Sequence, residues 1–178
     1  MTISRREFVG LAGGIAVWLA ASPAELKSAS TSTDTQPFRA LSPEQARTFE
    51  AFAAQVIPSE PGSPGAREAN VVRFADNALS SFASDQRAAF LKALAVLPAG
   101  FATMPSARQV AAMRAMDKSK HEAFEILRAP VLAGMFANPE YGGNANKAGW
   151  RLIGFEDRFS WQPPFGFYDT PAEMARRD

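Results

Sequence analysis

The sequence predicts an all-α protein: a compact bundle of five or six helices followed by an irregular, aromatic- and proline-rich C-terminal tail. Three observations carry this. Apolar residues recur at i, i+3, i+4 and i+7 in several windows between residues 41 and 137. Three of those windows open on the Ser-x-x-Gln or Ser-x-x-Glu pattern of a helix capping box. No stretch sustains the period-two alternation of a half-buried strand.

Taken in order, Leu41-Ser42-Pro43-Glu44-Gln45 starts the first helix, with Ser42 as N-cap, Pro43 at the first helical position and Gln45 closing the box. Phe49, Phe52, Ala53 and Val56 then share one buried face, and the helix stops before Pro58. The run from Pro58 to Gly65 cannot hold a helix. A second helix is expected from near Ala66, burying Val71, Val72, Ala75, Leu79 and Phe82 and making a hairpin with the first. A third, from about Asp85 to Leu97, turns Phe90, Leu91, Leu94 and Leu97 inward and ends at Pro98 and Gly100. Ser106 to Gln109 repeats the capping box before Val110, Met113 and Met116. Ser119 to Glu122 repeats it again before Phe124 and Leu127, and Pro130 is expected to kink or split that last helix, with Val131 to Phe136 continuing it.

Ahead of the bundle stands Ser4-Arg5-Arg6-Glu7-Phe8-Val9-Gly10, and then the apolar run Leu11 to Ala21. A twin-arginine pair before a short apolar stretch is the export address of proteins that cross a membrane already folded, with Ser4, Arg5, Arg6, Phe8 and Val9 as its recognition residues. The run is far short of the roughly 20 residues a spanning helix needs, so it reads as a signal segment rather than an anchor. The competing reading is a loosely hydrophobic start to a cytosolic protein. Small residues suit cleavage at Ser22-Pro23-Ala24 or Ser28-Ala29-Ser30, and retention is the third outcome. The organisation is therefore a signal over 1–30, a polar linker over 31–40, a helical core over 41–137 and a Gly-Gly-Asn turn with aromatic tail over 138–178.

Beyond the signal and linker, roughly 140 residues suit one domain with a real core. A formal net charge of +1, with both signs interspersed, gives no electrostatic case for nucleic acid or a polybasic membrane patch. The chain has no cysteine, which excludes disulfides, thiolate zinc sites, cysteine-ligated iron–sulfur clusters and c-type haem attachment. It has one histidine, His121, so no two-histidine metal site can be built from it alone. Dinucleotide, P-loop and nucleophile-elbow motifs do not occur.

His121 has Asp117 and Glu125 four residues to either side, and pairing with one of these carboxylates is the ordinary outcome. Among Glu60, Glu68 and Asp76, the last two stand two helical turns apart, and exposed acidic positions are the expectation. The aromatic residues offer a clearer lead. Tyr141, Trp150, Phe155, Phe159, Trp161, Phe165, Phe167 and Tyr168 crowd a segment broken by Pro163 and Pro164. One regular helix cannot bury them all, so they pack back on the bundle or serve as anchors for another protein.

Two blocks carry a resemblance. The first is Leu41-Ser42-Pro43-Glu44 leading to Val56-Ile57-Pro58, then Pro64 to Ala69, Val71-Val72, Phe74 and Asp76. The second is Tyr141-Gly142-Gly143-Asn144 followed by Gly149-Trp150-Arg151-Leu152-Ile153-Gly154-Phe155. Over about Leu41 to Phe155 the chain resembles the small subunit, subunit 3 or gamma, of membrane-bound gluconate 2-dehydrogenase and related flavin-dependent sugar and alcohol dehydrogenases. The resemblance implies a non-catalytic subunit with no cofactor of its own. Its partner would be a large flavoprotein of the glucose–methanol–choline type that holds FAD and oxidises a sugar, sugar acid or polyol, often joined by a cytochrome c subunit with haem c. It also implies that the small subunit's signal carries the flavoprotein through the twin-arginine translocase. The complex would then lie in the periplasm at the outer face of the cytoplasmic membrane. Some relatives have cysteines in this subunit; with none here, an iron–sulfur or disulfide role does not carry over. The rival from another class is an independent periplasmic helical module that closes over an apolar ligand, which an enclosed pocket would favour and a flat exposed aromatic patch would not. A self-sufficient hydrolase or isomerase is weakest, since its only candidate is His121.

Overall fold

The computed structural model describes residues 37–158, and among these the chain is helical with no strand. Six α-helices follow in order: α1 (Pro43–Val56), α2 (Val71–Leu79), α3 (Arg87–Leu94), α4 (Ser106–Ser119), α5 (His121–Phe136) and α6 (Ala148–Leu152). One 3₁₀ turn stands before α3, one between α3 and α4, and two between α5 and α6. Helix α5 is the hub, packing on α2, α3 and α4, while α1 closes the bundle from the other side.

Helix α1 starts as its sequence dictates. The Ser42 hydroxyl accepts the Gln45 N–H at 3.1 Å, and the Gln45 side chain accepts the Ser42 N–H at 2.8 Å. Its inward face brings Phe49 edge-on to Phe90 of α3 at 5.0 Å and Phe52 edge-on to Phe124 of α5 at 5.7 Å, so one aromatic cluster joins three helices.

The other two expected capping boxes do not form. Helix α4 includes Ser106 as its first residue, behind Pro105. The Ser106 hydroxyl turns to the Gln55 side chain at 3.1 Å, and Gln109 is drawn inward, donating to the Phe101 carbonyl at 2.9 Å. Tertiary partners on α1 and the preceding turn thus take both side chains that the box would use. Ser119 belongs to the last turn of α4, where its hydroxyl donates back to the Ala115 carbonyl at 2.7 Å, and α5 begins after Lys120 without a side-chain cap. Pro130 does not split α5, which continues through it to Phe136 with Leu127, Ala129, Val131 and Ala133 buried around it. Burial on both sides of the proline holds the helix across the one missing N–H donor.

The second helix begins later than expected, at Val71 rather than near Ala66. Asn70 takes a left-handed conformation, φ 54°, which ends the preceding turns and resets the chain direction. The third region is shorter than one helix over 85–97, with a 3₁₀ turn at Ser84–Gln86 before α3 and Leu97 buried beyond its end.

Helix α2 occupies the centre. All nine of its residues are buried, Arg73, Asp76 and Asn77 included. The expectation of an exposed Asp76 is therefore overturned. Its carboxylate accepts the backbone N–H groups of Arg39 at 2.9 Å, Ala40 at 2.8 Å and Leu41 at 3.0 Å, clasping the segment that leads into α1. Three consecutive donors replace the water that an ionised carboxylate would otherwise need.

Candidate functional site

The segment after α5 is built from close backbone approaches. Gly143 lies so near the Gly134 carbonyl of α5 that a Cβ there would overlap its oxygen, and a Cβ at Gly149 would overlap the Met135 carbonyl oxygen. Only glycine lets the chain settle against the end of α5 at these two points. Between them sits Asn144, fully buried and left-handed at φ 46°. Its N–H donates to the Gly134 carbonyl at 2.7 Å, its side-chain NH₂ to the Ala137 carbonyl at 2.9 Å, and its side-chain oxygen accepts the Gly149 N–H at 2.8 Å. One amide side chain thus ties the C-terminal end of α5 to the N-terminal end of α6. These three partners lie five to ten residues away along the chain.

That seam makes α6 a fixed shelf. Trp150 is half-buried, its indole N–H donating to the Phe136 carbonyl at 2.8 Å, and its ring stands edge-on to Phe155 at 5.1 Å. Tyr141 is also half-buried, packed against the core. On the outer side Leu152, Ile153 and Phe155 remain 40%, 60% and 44% exposed. They make up three of the four exposed large hydrophobic residues of the described chain. An apolar cluster gathered within four positions on a rigid support is the kind of surface that another protein covers. Polar groups rim it: Lys147 pairs with Asp157 at 2.9 Å, and Arg158 pairs with Glu156.

Of the residues the sequence singles out, the structure brings Tyr141, Trp150 and Phe155 to this end of the bundle. Phe159, Trp161, Phe165, Phe167 and Tyr168, and the export residues Ser4, Arg5, Arg6, Phe8 and Val9, lie outside the described residues. Leu152 and Ile153 were missed as surface residues, because a five-residue helix is too short for periodicity to say which side faces water.

The remaining titratable candidates do not converge. His121 is exposed and pairs with Asp117 through Nδ1 at 2.7 Å, as the i, i+4 spacing predicts. Glu60 is exposed. Glu68 is also exposed; its carboxylate accepts the Ser59 hydroxyl at 2.5 Å and the Gly65 N–H at 2.9 Å. The Ser59 hydroxyl, followed by backbone N–H donors, holds its carboxyl below the usual carboxylate range. Among the described residues no cluster of histidine, aspartate or glutamate could hold a metal ion, and no helix is long and apolar enough to cross a membrane. Among the described residues, concavities of about 510, 260 and 600 Å³ are open grooves.

Comparison with known proteins places a model of the family described as Gluconate 2-dehydrogenase subunit 3 on residues 43–157, which spans all six helices. No curated protein and no solved structure matches the chain.

Proposed function

The chain belongs to the gluconate 2-dehydrogenase subunit 3 family, and we propose that it is a non-catalytic small subunit that binds, stabilises and escorts an FAD-dependent dehydrogenase subunit of the glucose–methanol–choline type. The partner oxidises a sugar, sugar acid or polyol, and a cytochrome c subunit carrying haem c completes the complex. The observation that carries this reading is the apolar shelf of Leu152, Ile153 and Phe155, fixed by backbone-to-backbone contacts that only glycine at 143 and 149 permits. Fixing the anchors before binding lowers the ordering cost of association, which is how a small surface gains affinity.

The escort role follows from the paired arginines and short apolar run at Arg5, Arg6 and Leu11 to Ala21. A partner that must fold around FAD in the cytoplasm then crosses the membrane on this chain's signal, and the complex works in the periplasm at the outer face of the cytoplasmic membrane. The open shape of the grooves supports a subunit over an independent ligand-binding module, which would enclose its ligand.

Conservative replacement of the export pair tests the escort directly. Arg5→Lys with Arg6→Lys keeps both charges and removes the guanidinium pair, and both this chain and its flavoprotein should then accumulate in the cytoplasmic fraction. Normal export of the flavoprotein beside a stranded small subunit would overturn the escort.

A further inference from the structure

Among the described residues four large hydrophobic side chains are exposed, and Val96, at 41%, is the one that stands away from the shelf. It lines an open groove of about 600 Å³ between α3 and the first turns of α5. Ala89 and Ala93 on α3, with Ala123 and Ile126 on α5, continue the apolar lining. Three of those four side chains are single methyls, so another backbone can approach both helices as closely as packed helices do. The groove and the shelf are separate sites. Ile126 lines the groove, while Phe136, which receives the Trp150 indole N–H, stands about 15 Å further along α5.

The charge around this groove is mainly positive. Lys92 and Lys120 are exposed in its lining and enter no ion pair among the described residues, and Glu122 is the single carboxylate of the lining. Asp117, one turn before His121, is already held by that ring at 2.7 Å and does not answer the lysines. Lys118 extends the positive charge onto the last turn of α4. The modes by which a surface takes up a polypeptide narrow the occupant further. With no strand among the described residues there is no sheet edge to extend, and the lining offers no aromatic ring to a proline-rich segment. A helix laid in the groove remains.

We propose that this groove docks an acidic amphipathic helix of a partner polypeptide, its apolar ridge against Ala93, Val96 and Ile126 and its carboxylates against Lys92 and Lys120. The apolar ridge supplies affinity, and the opposite charge at the rim selects which polypeptide is accepted. The inference goes beyond the accessory-subunit reading and does not rest on it, since none of these residues belongs to the shelf.

The test uses the full chain and a fluorescein-labelled peptide of about 16 residues, stapled because free helices of that length are marginal in water. The peptide carries leucine at i, i+3, i+4 and i+7 and glutamate beside them. Anisotropy titration should show saturable binding, at least about tenfold tighter than that of the same peptide with lysine for glutamate. Lys92→Glu with Lys120→Glu should reverse that preference. Val96→Asp should weaken the acidic peptide about tenfold, whereas Ile153→Asp on the shelf should leave it unchanged. All four substituted side chains are exposed, and unchanged circular dichroism confirms that each variant is folded. No saturable binding up to about 1 mM, equal binding of the lysine peptide, a preference that survives the charge reversal, an affinity indifferent to Val96→Asp, or a loss with Ile153→Asp would each overturn the proposal. Displacement of the peptide by phosphatidylglycerol vesicles, or a dimer of the chain that Val96→Asp dissolves, would overturn it too, by making a lipid surface or a second copy the occupant.

Discussion

Two buried polar clasps flank the bundle's centre, and they work by different means. On one side the Asp76 carboxylate gathers three backbone N–H groups of the segment entering α1. On the other, the Asn144 amide bridges the end of α5 to the start of α6. The first uses a charge and bonds only backbone N–H groups, so the captured side chains take no part in its hydrogen bonds. The second uses a neutral amide and makes strict demands on its neighbours, because the backbones it joins are nearly in contact. A charged clasp concentrates its dependence in one residue, whereas a close-packed clasp spreads it over glycines as well.

The sharpest way to break the second clasp is Gly149→Ala. The added methyl overlaps the Met135 carbonyl oxygen, and neither backbone can withdraw without parting α6 from α5. A loss of about 4 kcal/mol or more, within reach of a whole domain's stability, is expected in denaturant unfolding. The two central residues come next. Asp76→Ala leaves two buried donors and a part-buried one without their charged acceptor and should cost about 3–5 kcal/mol, while Asn144→Ala removes two neutral bonds and should cost about 2–3 kcal/mol. Equal losses for the pair, measured by the same unfolding midpoints, would mean that the charge contributes nothing beyond an amide.

The difference between the clasps also explains what the sequence reveals. The second block, Tyr141-Gly142-Gly143-Asn144 with Gly149, is legible because clustered glycine and asparagine mark a backbone under steric demand. Asp76 carries no such mark. An aspartate in an amphipathic pattern reads as solvent-facing, and only the return of residues 39–41, more than thirty positions earlier, makes it internal. The helical class, the start of α1 and the inward faces of the first three helical regions were legible for the same local reason: periodicity and the Ser42 box depend on neighbours in sequence. The boxes at Ser106 and Ser119 failed because Gln55, Phe101 and Ala115 competed for the same side chains. Of the candidate site, the aromatic residues were visible and the exposed Leu152 and Ile153 were not.

Smaller effects refine the contrast between a cap that formed and one that did not. Ser42→Ala should cost about 1 kcal/mol, since it removes a side-chain cap that is present, and Ser106→Ala less than about 0.5 kcal/mol, since its hydroxyl reaches an exposed glutamine contact instead. Glu68 supplies the smallest term, visible only through pH. Its folded carboxyl titrates below its ordinary value, so its contribution is fully present above the unfolded pKa and fades as pH falls through the folded one. Glu68→Gln should flatten that part of the acid limb in a stability-versus-pH profile; an unchanged acid limb would remove Glu68 as a cause.

Whether the shelf, rather than the clasps, holds the flavoprotein is decided by co-purification. Tagged full-length protein recovered from its native host should bring down a stoichiometric flavoprotein with an FAD absorption spectrum. The double variant Ile153→Asp with Phe155→Ser should lose that flavoprotein while remaining folded, its melting temperature lowered only by the loss of the Phe155 contact with the Trp150 ring. A colourless, partnerless wild-type protein, or a double variant that retains the full complement of flavoprotein, would contradict it.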